Sequence, residues 1–479
     1  MAPLPQETDP QTLQRLFDGQ AATALALRGS TARERTAKLR RLRDGLLQRR
    51  EALYAAFALD LRKPPVEVDL TELMPVVDEA RHAIAHLRRW MRPRRVRPTL
   101  TTLGTHARVL CQPRGRCLII GPWNYPVNTL LGPLVSAIAA GNTVILKPSE
   151  FTPHVNAVVA ELVAALFEPA EVALVQGGVE TARQLLALPF DHIFFTGSPA
   201  VGKIVMAAAA RHLTSITLEL GGQSPVIVDA TADLRQAAAL ILWGKCTNGG
   251  QTCVAPDHAF IHRSVMDRFV AHCRQLLAER YGTTDDAVQA SPDLARMVTQ
   301  RHAERLGALI DDALARGATL LAGGRHDAAQ RYVAPTLLGD VPADALITGE
   351  EIFGPVLPLQ AFDTLDEVIA QIDARPKPLA LYLFSRDRAV QRQVAERTSS
   401  GGLGLNLCVQ QYAHGGLPFG GVNHSGIGSA HGVHGFKAFS HERACLAAGA
   451  FSALSLFFPP YTALRHRLST ALLQILRRV

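Results

Sequence analysis

The sequence has little of what would place the protein in an oxidising compartment or inside a membrane. Its seven cysteines are an odd number and form no Cys-x-x-Cys pair, which argues against a disulfide framework and a thiolate metal site. No apolar run approaches the ~18 residues that a membrane-spanning helix needs. The first residues lack an apolar signal core and carry an acid early. We therefore expect a cytoplasmic protein that holds no metal.

The chain also has no long stretch of charges of one sign, and it has few aromatic residues. The formal net charge is +8, but Lys and Arg are interleaved with Asp and Glu through most of the chain. Arginines concentrate at 33–50 and 92–95, where they fit the exposed faces or ends of helices. Aromatic residues make up 6% of the chain and do not alternate with these arginines, so no base-stacking surface is indicated. We expect no nucleic-acid partner.

What the sequence does contain is an alternation of apolar runs with helical repeats. Residues 10–91 predict helices, because apolar residues recur every three to four positions. Four short apolar runs then alternate with helical stretches, and they lie at 117–121, 143–147, 172–175 and 192–197. The alternation restarts after Glu219 and continues to about residue 405. This pattern predicts an α/β protein with two side-by-side lobes, each built on a parallel sheet with both faces covered.

One cysteine stands out by its surroundings. Cys253 follows Gly249 and Gly250 and precedes Pro256, residues that break regular structure and favour a loop. A free thiol has a pKa near ~8.5, so a nucleophilic cysteine needs a helpful environment. Considered alone, most cysteines are inert and buried. The loop context favours a nucleophile here.

A carboxylate precedes this cysteine by 34 residues. Glu219 lies inside the apolar run at 217–220, and burial there would raise its pKa towards the working pH of a general base. The alternative is a surface glutamate at the end of a strand. Together with the cysteine, the catalytic interpretation is the stronger one.

Two predicted strand-to-helix turns carry further candidate residues. The hexapeptide at 121–126 places Trp123 and Asn124 directly after an apolar run. The glycine-containing turn at 197–203 follows a strand and opens a helix, which is a generic phosphate cradle. It nearly matches a Walker loop, but Ile204 stands where a Ser or Thr must hold magnesium. That mismatch argues against an ATPase or kinase.

Together these motifs resemble the aldehyde dehydrogenase superfamily, in the expected order from about residue 30 to residue 446. The resemblance implies that Cys253 attacks an aldehyde carbonyl and that Glu219 activates water to hydrolyse the resulting thioester. It implies that the Asn124 amide joins the backbone N–H of Cys253 in an oxyanion hole. Losing one such donor typically costs ~2.7–4 kcal/mol of barrier stabilisation.

The resemblance also implies a nicotinamide dinucleotide site. The residues that it assigns to the cofactor lie in turns and at strand ends, and they are Trp123, Lys147, Glu150, Gly197, Ser198, Gly202, Glu351 and Phe353. Trp123 and Ser198 would contact phosphate, Lys147 the adenosine ribose, and Glu351 and Phe353 the nicotinamide end. Because the Glu150 carboxylate would repel a 2′-phosphate, NAD is favoured as the cofactor, and NADP is the alternative.

Features towards the carboxyl end point to the class 3 branch of this family. They are the Phe-Ser-His-Glu-Arg segment at 439–443 and the proline pair after residue 458, together with the lack of an N-terminal extension. That branch includes fatty-aldehyde and coniferyl-aldehyde dehydrogenases, which implies an apolar aliphatic or aromatic aldehyde and a homodimer. One departure is Asn423, which stands with His424 where a glycine is expected. Since Asn tolerates positive φ, the turn is expected to form.

The predicted domain organisation follows from these assignments. Residues 1–98 and 114–218 form the NAD-binding domain, 219–430 the catalytic domain, and 99–113 with 431–446 a bridging arm for oligomerisation. Residues 447–479 form a basic amphipathic tail, in which leucines recur at four-residue spacing and arginines have no acid to balance them. The tail is interpreted either as a helix at a membrane surface or as one packed on protein.

Two other functions remain open at this point. A coenzyme A-acylating dehydrogenase would use the same cysteine, although a water-activating Glu219 argues against it. A catalytically silent binding or structural protein on the same fold is the other alternative, and the presence of all three catalytic residues argues against that one.

Overall fold

A computed structural model describes residues 7–449 and 453–478 of the chain. The strands in the described residues form one large sheet in each lobe and two small sheets. In chain order they are β1 (Arg94–Val96), β2 (Thr105–Pro113), β3 (Arg116–Ile120), β4 (Thr143–Lys147), β5 (Val172–Leu174), β6 (His192–Thr196), β7 (Ser215–Glu219), β8 (Pro225–Val228), β9 (His258–His262), β10 (Thr319–Ala322), β11 (His326–Asp327), β12 (Tyr332–Val333), β13 (Thr336–Gly339), β14 (Val356–Phe362), β15 (Ala380–Phe384), β16 (Gly402–Leu405), β17 (Gly426–Ile427) and β18 (Ser440–Ala448).

The α-helices cover the faces of the two large sheets. In chain order they are α1 (Pro10–Gly19), α2 (Ala21–Leu27), α3 (Ala32–Gln48), α4 (Arg50–Leu61), α5 (Pro65–Val68), α6 (Met74–Trp90), α7 (Asn128–Ala140), α8 (Pro153–Leu166), α9 (Val179–Leu186), α10 (Pro199–Ala210), α11 (Leu234–Cys246), α12 (Met266–Tyr281), α13 (Asp285–Ala290), α14 (Gln300–Ala315), α15 (Leu365–Asp373), α16 (Arg388–Arg397), α17 (Gly432–Ala438) and α18 (Ala463–Arg478). A π segment at Asp69–Leu73 joins α5 to α6, and Thr247–Gly250 is a short 3-10 turn.

The first large sheet has six strands in the order β17-β7-β6-β3-β4-β5. All neighbours are parallel except β17, which returns antiparallel to β7. In β3, Leu118 and Ile120 pack with α1, α9 and α10, whereas Cys117 and Ile119 pack with α3, α6 and α7. Burial on both faces explains why this strand is a continuous apolar run.

The second large sheet has seven strands in the order β10-β13-β14-β9-β8-β15-β16. Only β10 is antiparallel to its neighbour. Val226 and Val228 of β8 pack against α11 and α12, and Ile227 packs on the opposite side against α15 and α16. The chain passes from the first sheet to the second between the end of β7 at Glu219 and the start of β8. Two parallel-sheet lobes of α/β class are thus present, as predicted.

The small β arm differs in extent from the sequence prediction. β2 pairs along its whole length with β18, and β1 pairs with the other edge of β2. The sheet therefore begins at Arg94 rather than at residue 99, and its last strand ends at Ala448 rather than at residue 446. Residues 432–438 form helix α17, because Phe436 packs into the core between α6 and α7. β17 lies within residues 219–430, the range predicted for the catalytic domain, but it is an edge strand of the first sheet.

One arginine of the 33–50 cluster is buried, which corrects the prediction of an exposed helical face. Arg35 is 4% exposed and donates hydrogen bonds to the carbonyls of Ala139 (3.0 Å) and Ala140 (2.7 Å) at the end of α7. Burial lowers the pKa of this guanidinium to about 10. The side chain satisfies carbonyls that the last turn of a helix leaves without partners.

The tail forms a helix, α18, with little attachment to the rest of the chain. None of its residues with a described side chain is buried. Leu464 is 66% and Leu473 67% exposed. Within 7–449 and 453–478, no helix has both the length and the apolarity needed to cross a bilayer.

Candidate active site

The loop before Cys253 folds back sharply on itself. Asn248, Gly249 and Gly250 all have positive φ, at 56°, 61° and 74°. A Cβ on Gly250 would lie 2.3 Å from the carbonyl oxygen of Gly354, so only glycine fits there. This turn ends α11 and leads the chain directly to the cysteine.

A buried glutamine fixes the same loop. The Gln251 side chain is fully buried, and its amide nitrogen donates to the carbonyls of Asn248 (2.8 Å) and Arg296 (3.1 Å). Its side-chain oxygen accepts from the N–H of Val298 at 2.9 Å. Three buried hydrogen bonds hold the backbone immediately before Cys253, which makes its position well defined.

The Cys253 thiol is partly buried and lies among negative groups. Burial above all, with Glu351 and Glu219, raises its pKa to about 12, against backbone N–H groups that lower it. The sequence analysis expected surroundings that favour the thiolate. The residues around Cys253 raise the thiol pKa instead. The thiol is neutral in this state, and its activation requires removal of the proton as the site fills.

Glu219 ends β7 with its carboxyl group buried. Both of its side-chain oxygens are inaccessible and have no hydrogen-bond partner among the described residues. Burial alone raises the pKa of this carboxyl well above its usual range. A neutral acid in a dry site is the expected resting form, and admission of water would allow it to act as a base.

Asn124 is joined directly to the cysteine loop. Its side-chain nitrogen donates to the carbonyl of Gln251 at 3.0 Å, and its own carbonyl accepts from the Asn248 side chain at 2.8 Å. The next residue, Tyr125, makes a 2.5 Å hydrogen bond through its hydroxyl with that of Thr252. The structure thus brings the turn at 121–126 against the cysteine loop, and one N–H of the Asn124 amide stays available for a substrate oxygen.

A fully buried ion pair stabilises the Asn124 turn. Lys63 Nζ lies 2.8 Å from Glu72 Oε1, with neither side chain exposed. Glu72 Oε2 accepts the N–H groups of Val127 (3.1 Å) and Asn128 (3.0 Å), the first residues of α7. The Lys63 ammonium also lies 4.3 Å from the ring centre of Tyr125. Sequence reasoning missed this pair, because neither residue belongs to a recognisable motif.

Removing one partner of this pair should cost much of the stability of the first lobe. We expect Lys63→Met to lower the free energy of unfolding by about 3–5 kcal/mol, because Glu72 would be left buried without its partner. Urea denaturation monitored by circular dichroism measures the change. Arg81→Met is the matched control, because the exposed Arg81–Asp78 pair is worth about 0–1 kcal/mol. Equal losses in both variants would contradict the assignment.

The segment at 350–353 is held by α14. Arg305 donates to the carbonyls of Glu351 (2.6 Å) and Ile352 (2.9 Å). Phe353 has a φ of 52°, and its ring meets Trp123 edge-on with 5.5 Å between ring centres. The two aromatic residues assigned from sequence to the cofactor therefore lie in contact, although they are 230 residues apart in the chain.

Glu351 shares a buried charged cluster with residues that the sequence analysis missed. Burial and the Asp257 carboxylate raise the pKa of Glu351 to about 8, although the N–H of Gly222 and the Lys245 ammonium lower it. Lys245 is 1% exposed, its Nζ has no hydrogen-bond partner among the described residues, and burial lowers its pKa to about 8. A lone lysine in a helical repeat gives no sequence signal of this position.

The turn after β6 has the form of a phosphate cradle. Ser198 is the N-cap of α10, and its Oγ accepts the N–H of Val201 at 3.4 Å. A Cβ on Gly202 would lie 2.8 Å from the Leu220 side chain, and one on Gly197 2.5 Å from the Phe195 ring. Both glycines therefore let the backbone approach closely, and the helix start offers N–H groups to an anion.

The strand end to which the sequence analysis assigns the adenosine ribose has its own charged residues. Lys147 ends β4, is 3% exposed, and places Nζ 3.5 Å from Glu150 Oε2. Burial lowers the pKa of Lys147, while the Glu150 carboxylate opposes that shift. Trp123, Lys147, Ser198 and Glu219 all lie at or just beyond the carboxyl ends of parallel strands, the edge at which such sheets bind dinucleotides. The residues present fit a nicotinamide dinucleotide.

The departure at Asn423 is accommodated without a glycine. Asn423 adopts φ 55°, and its side-chain oxygen accepts from Lys377 Nζ at 3.1 Å. The turn returns the chain to Gly426, which pairs with Glu219. The expected turn therefore forms, and it supports the strand that carries the buried carboxyl.

Comparison with known proteins agrees with this arrangement. The aldehyde dehydrogenase family model matches residues 6–445. Aldehyde dehydrogenase family 3 member B2 of Mus musculus is 45% identical over 429 residues, covering 89% of this chain and 88% of the relative. The 4,4′-diaponeurosporen-aldehyde dehydrogenase of Staphylococcus aureus (strain NCTC 8325 / PS 47) is 42% identical over 411 residues, covering 86% and 87%.

Solved structures show the same fold. Staphylococcus aureus AldH in a substrate-bound state superposes with a TM-score of 0.91 at 38% identity, covering 96% of this chain and 99% of that one. An Escherichia coli NADP-dependent enzyme gives 0.85 at 27% identity and covers 92% and 91%. A Mycobacterium tuberculosis aldehyde dehydrogenase complexed with NAD+ gives 0.83 at 25% identity and covers 93% and 92%. The chain belongs to the aldehyde dehydrogenase family.

Proposed function

We propose that this protein oxidises an apolar aldehyde to the carboxylic acid with NAD, and that Cys253, Glu219 and Asn124 carry the reaction. The observation behind the proposal is the joining of three separate chain segments. The Asn124 turn is hydrogen-bonded to the Cys253 loop, and a buried carboxyl without a partner lies at the end of the neighbouring strand. A nucleophile, an oxyanion donor and a general base are the groups that this oxidation needs.

In the first half of the reaction, Cys253 Sγ loses its proton and bonds to the carbonyl carbon. The carbonyl oxygen becomes an oxyanion, which the Asn124 side-chain N–H and the Cys253 backbone N–H stabilise. A nicotinamide dinucleotide, when bound, would supply the oxidation by taking up the hydride from that carbon. The carbonyl then re-forms, and Cys253 is left as a thioester.

In the second half, Glu219 removes a proton from water, which attacks the thioester carbon. The C–S bond breaks, the carboxylic acid leaves, and the thiol of Cys253 is restored. Over one cycle an aldehyde, NAD+ and water give the acid, NADH and a proton. Because water has no role in the first half, a Glu219 carboxyl that stays neutral until water enters suits this order.

For the cofactor, the assignments from sequence stand as proposals. Trp123, Gly197, Ser198 and Gly202 would hold the pyrophosphate, Lys147 would bind the adenosine ribose, and Glu150 would repel a 2′-phosphate there. Glu351 binds the nicotinamide ribose, with Phe353 beside the ring. The structural relatives include an NADP-dependent enzyme and one complexed with NAD+. Glu150 beside Lys147 favours NAD in this chain.

An aromatic wall near the cysteine supports an apolar substrate. The rings of Tyr412, Phe419 and His431 lie 4.7–5.2 Å apart. The Tyr412 hydroxyl donates to the Asn128 side chain at 2.9 Å, so its ring faces its neighbours. Burial lowers the pKa of His431 to about 4, which keeps that ring neutral. An uncharged wall of this kind favours aliphatic or aromatic aldehydes over charged ones.

A panel of aldehydes tests the proposal. We expect NADH formation with kcat/KM rising about fourfold for each added methylene that is buried, since each is worth ~0.8 kcal/mol. Absorbance of NADH measures the rate with straight-chain aldehydes of graded length and an aromatic one. Added coenzyme A should leave the rate and the acid product unchanged. A coenzyme A thioester product would establish the acylating alternative, and no NADH with any aldehyde would establish a silent protein.

We also propose that two copies of the chain associate through the β arm. β18 has nine residues, and within 7–449 and 453–478 it pairs on one edge, with β2. Its other edge therefore presents backbone groups to a partner strand, and Leu446 on it is 59% exposed.

All seven cysteines are free thiols, which supports a reducing compartment such as the cytoplasm.

For the tail we propose contact with an anionic membrane surface. α18 exposes Leu464, Leu468 and Ile475 on one side of the helix, and these residues are 66%, 39% and 51% exposed. Residues 459–479 contain four arginines and no acid. An apolar face with uncompensated positive charge matches an interfacial helix on acidic lipid.

Deleting residues 459–479 tests the tail. We expect the full chain to pellet with phosphatidylserine-containing liposomes and the shortened chain to remain in the supernatant. Liposomes of phosphatidylcholine alone are the control for the charge contribution, which is about 1 kcal/mol per Arg near the surface. Equal pelleting of both proteins would end the membrane proposal. If both proteins sediment as dimers, the dimer contact does not require the tail. If the shortened chain sediments as a monomer, the tail belongs to the subunit contact.

A further inference from the structure

The amino-terminal segment is attached to the start of α9 through one carboxylate. Glu7 Oε2 accepts the N–H groups of Gly178 (3.0 Å) and Thr181 (2.9 Å) and also the Thr181 hydroxyl. The neighbouring Thr8 hydroxyl donates to the Gln176 carbonyl at 2.6 Å. The Thr181 hydroxyl above all, with the backbone N–H groups, holds the pKa of Glu7 below its usual range. An ionised carboxylate therefore fills the anion position at the start of this helix.

This carboxylate lies beside the proposed adenosine ribose site. A Cβ on Gly178 would lie 2.9 Å from Glu7 Oε1 and 4.0 Å from Glu150 Oε1, so the two acids flank the same glycine. Glu150 is the partner of the nearly buried Lys147. The ammonium and the helix start are the two features here that attract a phosphate group. Each is already engaged by a carboxylate of the chain.

We propose that Glu7 is a second specificity residue, which excludes a 2′-phosphate from the ribose site and so selects NAD over NADP. The inference rests on the proposed cofactor site and adds to it a residue far from every motif. A 2′-phosphate would approach two carboxylates and find the α9 N–H groups occupied. A ribose with free hydroxyls meets neither obstacle. Glu7 therefore discriminates between ligands rather than contributing equally to both.

The test uses the full chain and two fragments of the cofactors, 5′-AMP and 2′,5′-ADP, with binding measured by isothermal titration calorimetry. Glu7→Gln keeps the side-chain oxygen that accepts the α9 hydrogen bonds but removes the charge. We expect this variant to bind 2′,5′-ADP about tenfold more tightly than the unchanged protein does, since a like charge close to the phosphate is removed. Binding of 5′-AMP should change less than about twofold, because AMP carries no 2′-phosphate.

Glu180→Gln is the matched control. Glu180 lies in the first turn of the same helix, but its carboxylate pairs with Arg183 at 3.7 Å and both side chains are exposed. The same change in net charge there should leave the ratio of the two affinities within about twofold, because that carboxylate is already paired with Arg183. A chain lacking residues 1–7 is the second test variant, and it should show the same gain for 2′,5′-ADP as Glu7→Gln.

The outcomes separate this inference from the proposed function. An unchanged affinity ratio in both Glu7 variants, with 5′-AMP still bound, would overturn the role of Glu7 and leave the cofactor site standing. An equal gain in Glu180→Gln would also overturn it, because net charge alone would then explain the effect. Failure of the unchanged protein to bind 5′-AMP would overturn the adenosine site itself. Steady-state kinetics give an independent test. A lower KM for NADP in Glu7→Gln, at constant kcat, would reduce the preference for NAD and support the inference.

Discussion

Cys253→Ser is expected to reduce aldehyde oxidation to less than about 0.1% of the unchanged protein. Loss of a catalytic nucleophile costs on the order of 10⁶-fold in well-studied hydrolases, and a serine hydroxyl is far harder to deprotonate than a thiol. Glu351 and Glu219 raise the pKa of the thiol at this position, so neither favours loss of a proton from a hydroxyl there. Steady-state NADH production with the best aldehyde of the panel measures the loss.

Two further measurements make this result specific. Cys445→Ser is the control, because that thiol lies in the β arm and should leave the rate unchanged. The first NADH released by the unchanged protein should form faster as pH rises from neutral, because a thiol with a pKa of about 12 gains about tenfold in thiolate for each pH unit. Turnover by Cys253→Ser at an undiminished rate would remove the nucleophile on which the proposed chemistry depends.

The fold was predictable from sequence where burial leaves a direct trace in the pattern. Strands such as β3 and β4 are covered on both faces, so they appear as short apolar runs between helical repeats. β1 was not predictable, because its three residues, Arg94, Arg95 and Val96, are exposed and become a strand only by pairing with β2. Its stability comes from a partner distant in sequence, which no local pattern records.

The same distinction applies to the candidate site. Cys253, Glu219 and Asn124 were predicted because they stand in short motifs with glycine, proline or apolar neighbours, and their catalytic roles stay predictions. Lys63 lies in the loop between α4 and α5 and Glu72 in the π segment before α6, and only the packing shows that both are fully buried beside the Asn124 turn. Glu7 was missed for the same reason, since its hydrogen bonds reach residues more than 170 positions away. Supporting residues are defined by three-dimensional contacts, and local sequence carries little information about them.

Glu219→Gln is expected to divide the reaction into its two halves. The variant should release close to one NADH per active site in a rapid first turnover and then slow by about 10²–10⁴-fold, the range that general base catalysis supplies. Glutamine has nearly the same shape as the neutral acid that burial favours at this position. The site therefore remains intact for attack by Cys253, and removal of a nearby carboxyl does not raise the thiol pKa. Only the activation of water is lost.

Rapid mixing with detection of NADH resolves the burst, and mass spectrometry of the quenched protein should find the acyl group on Cys253. Hydroxylamine should restore steady turnover in Glu219→Gln, because it attacks thioesters without a base to activate it. A slow first turnover would instead place Glu219 in the attack on the aldehyde. The unchanged protein should accelerate with pH in its hydrolytic phase, since Glu219 must lose a proton that burial retains, and Glu219→Gln should lose that dependence. A carboxyl buried without a partner costs far less free energy when neutral than when charged, so the dry strand end that holds Glu219 favours the neutral acid, and its use as a base requires that water enter.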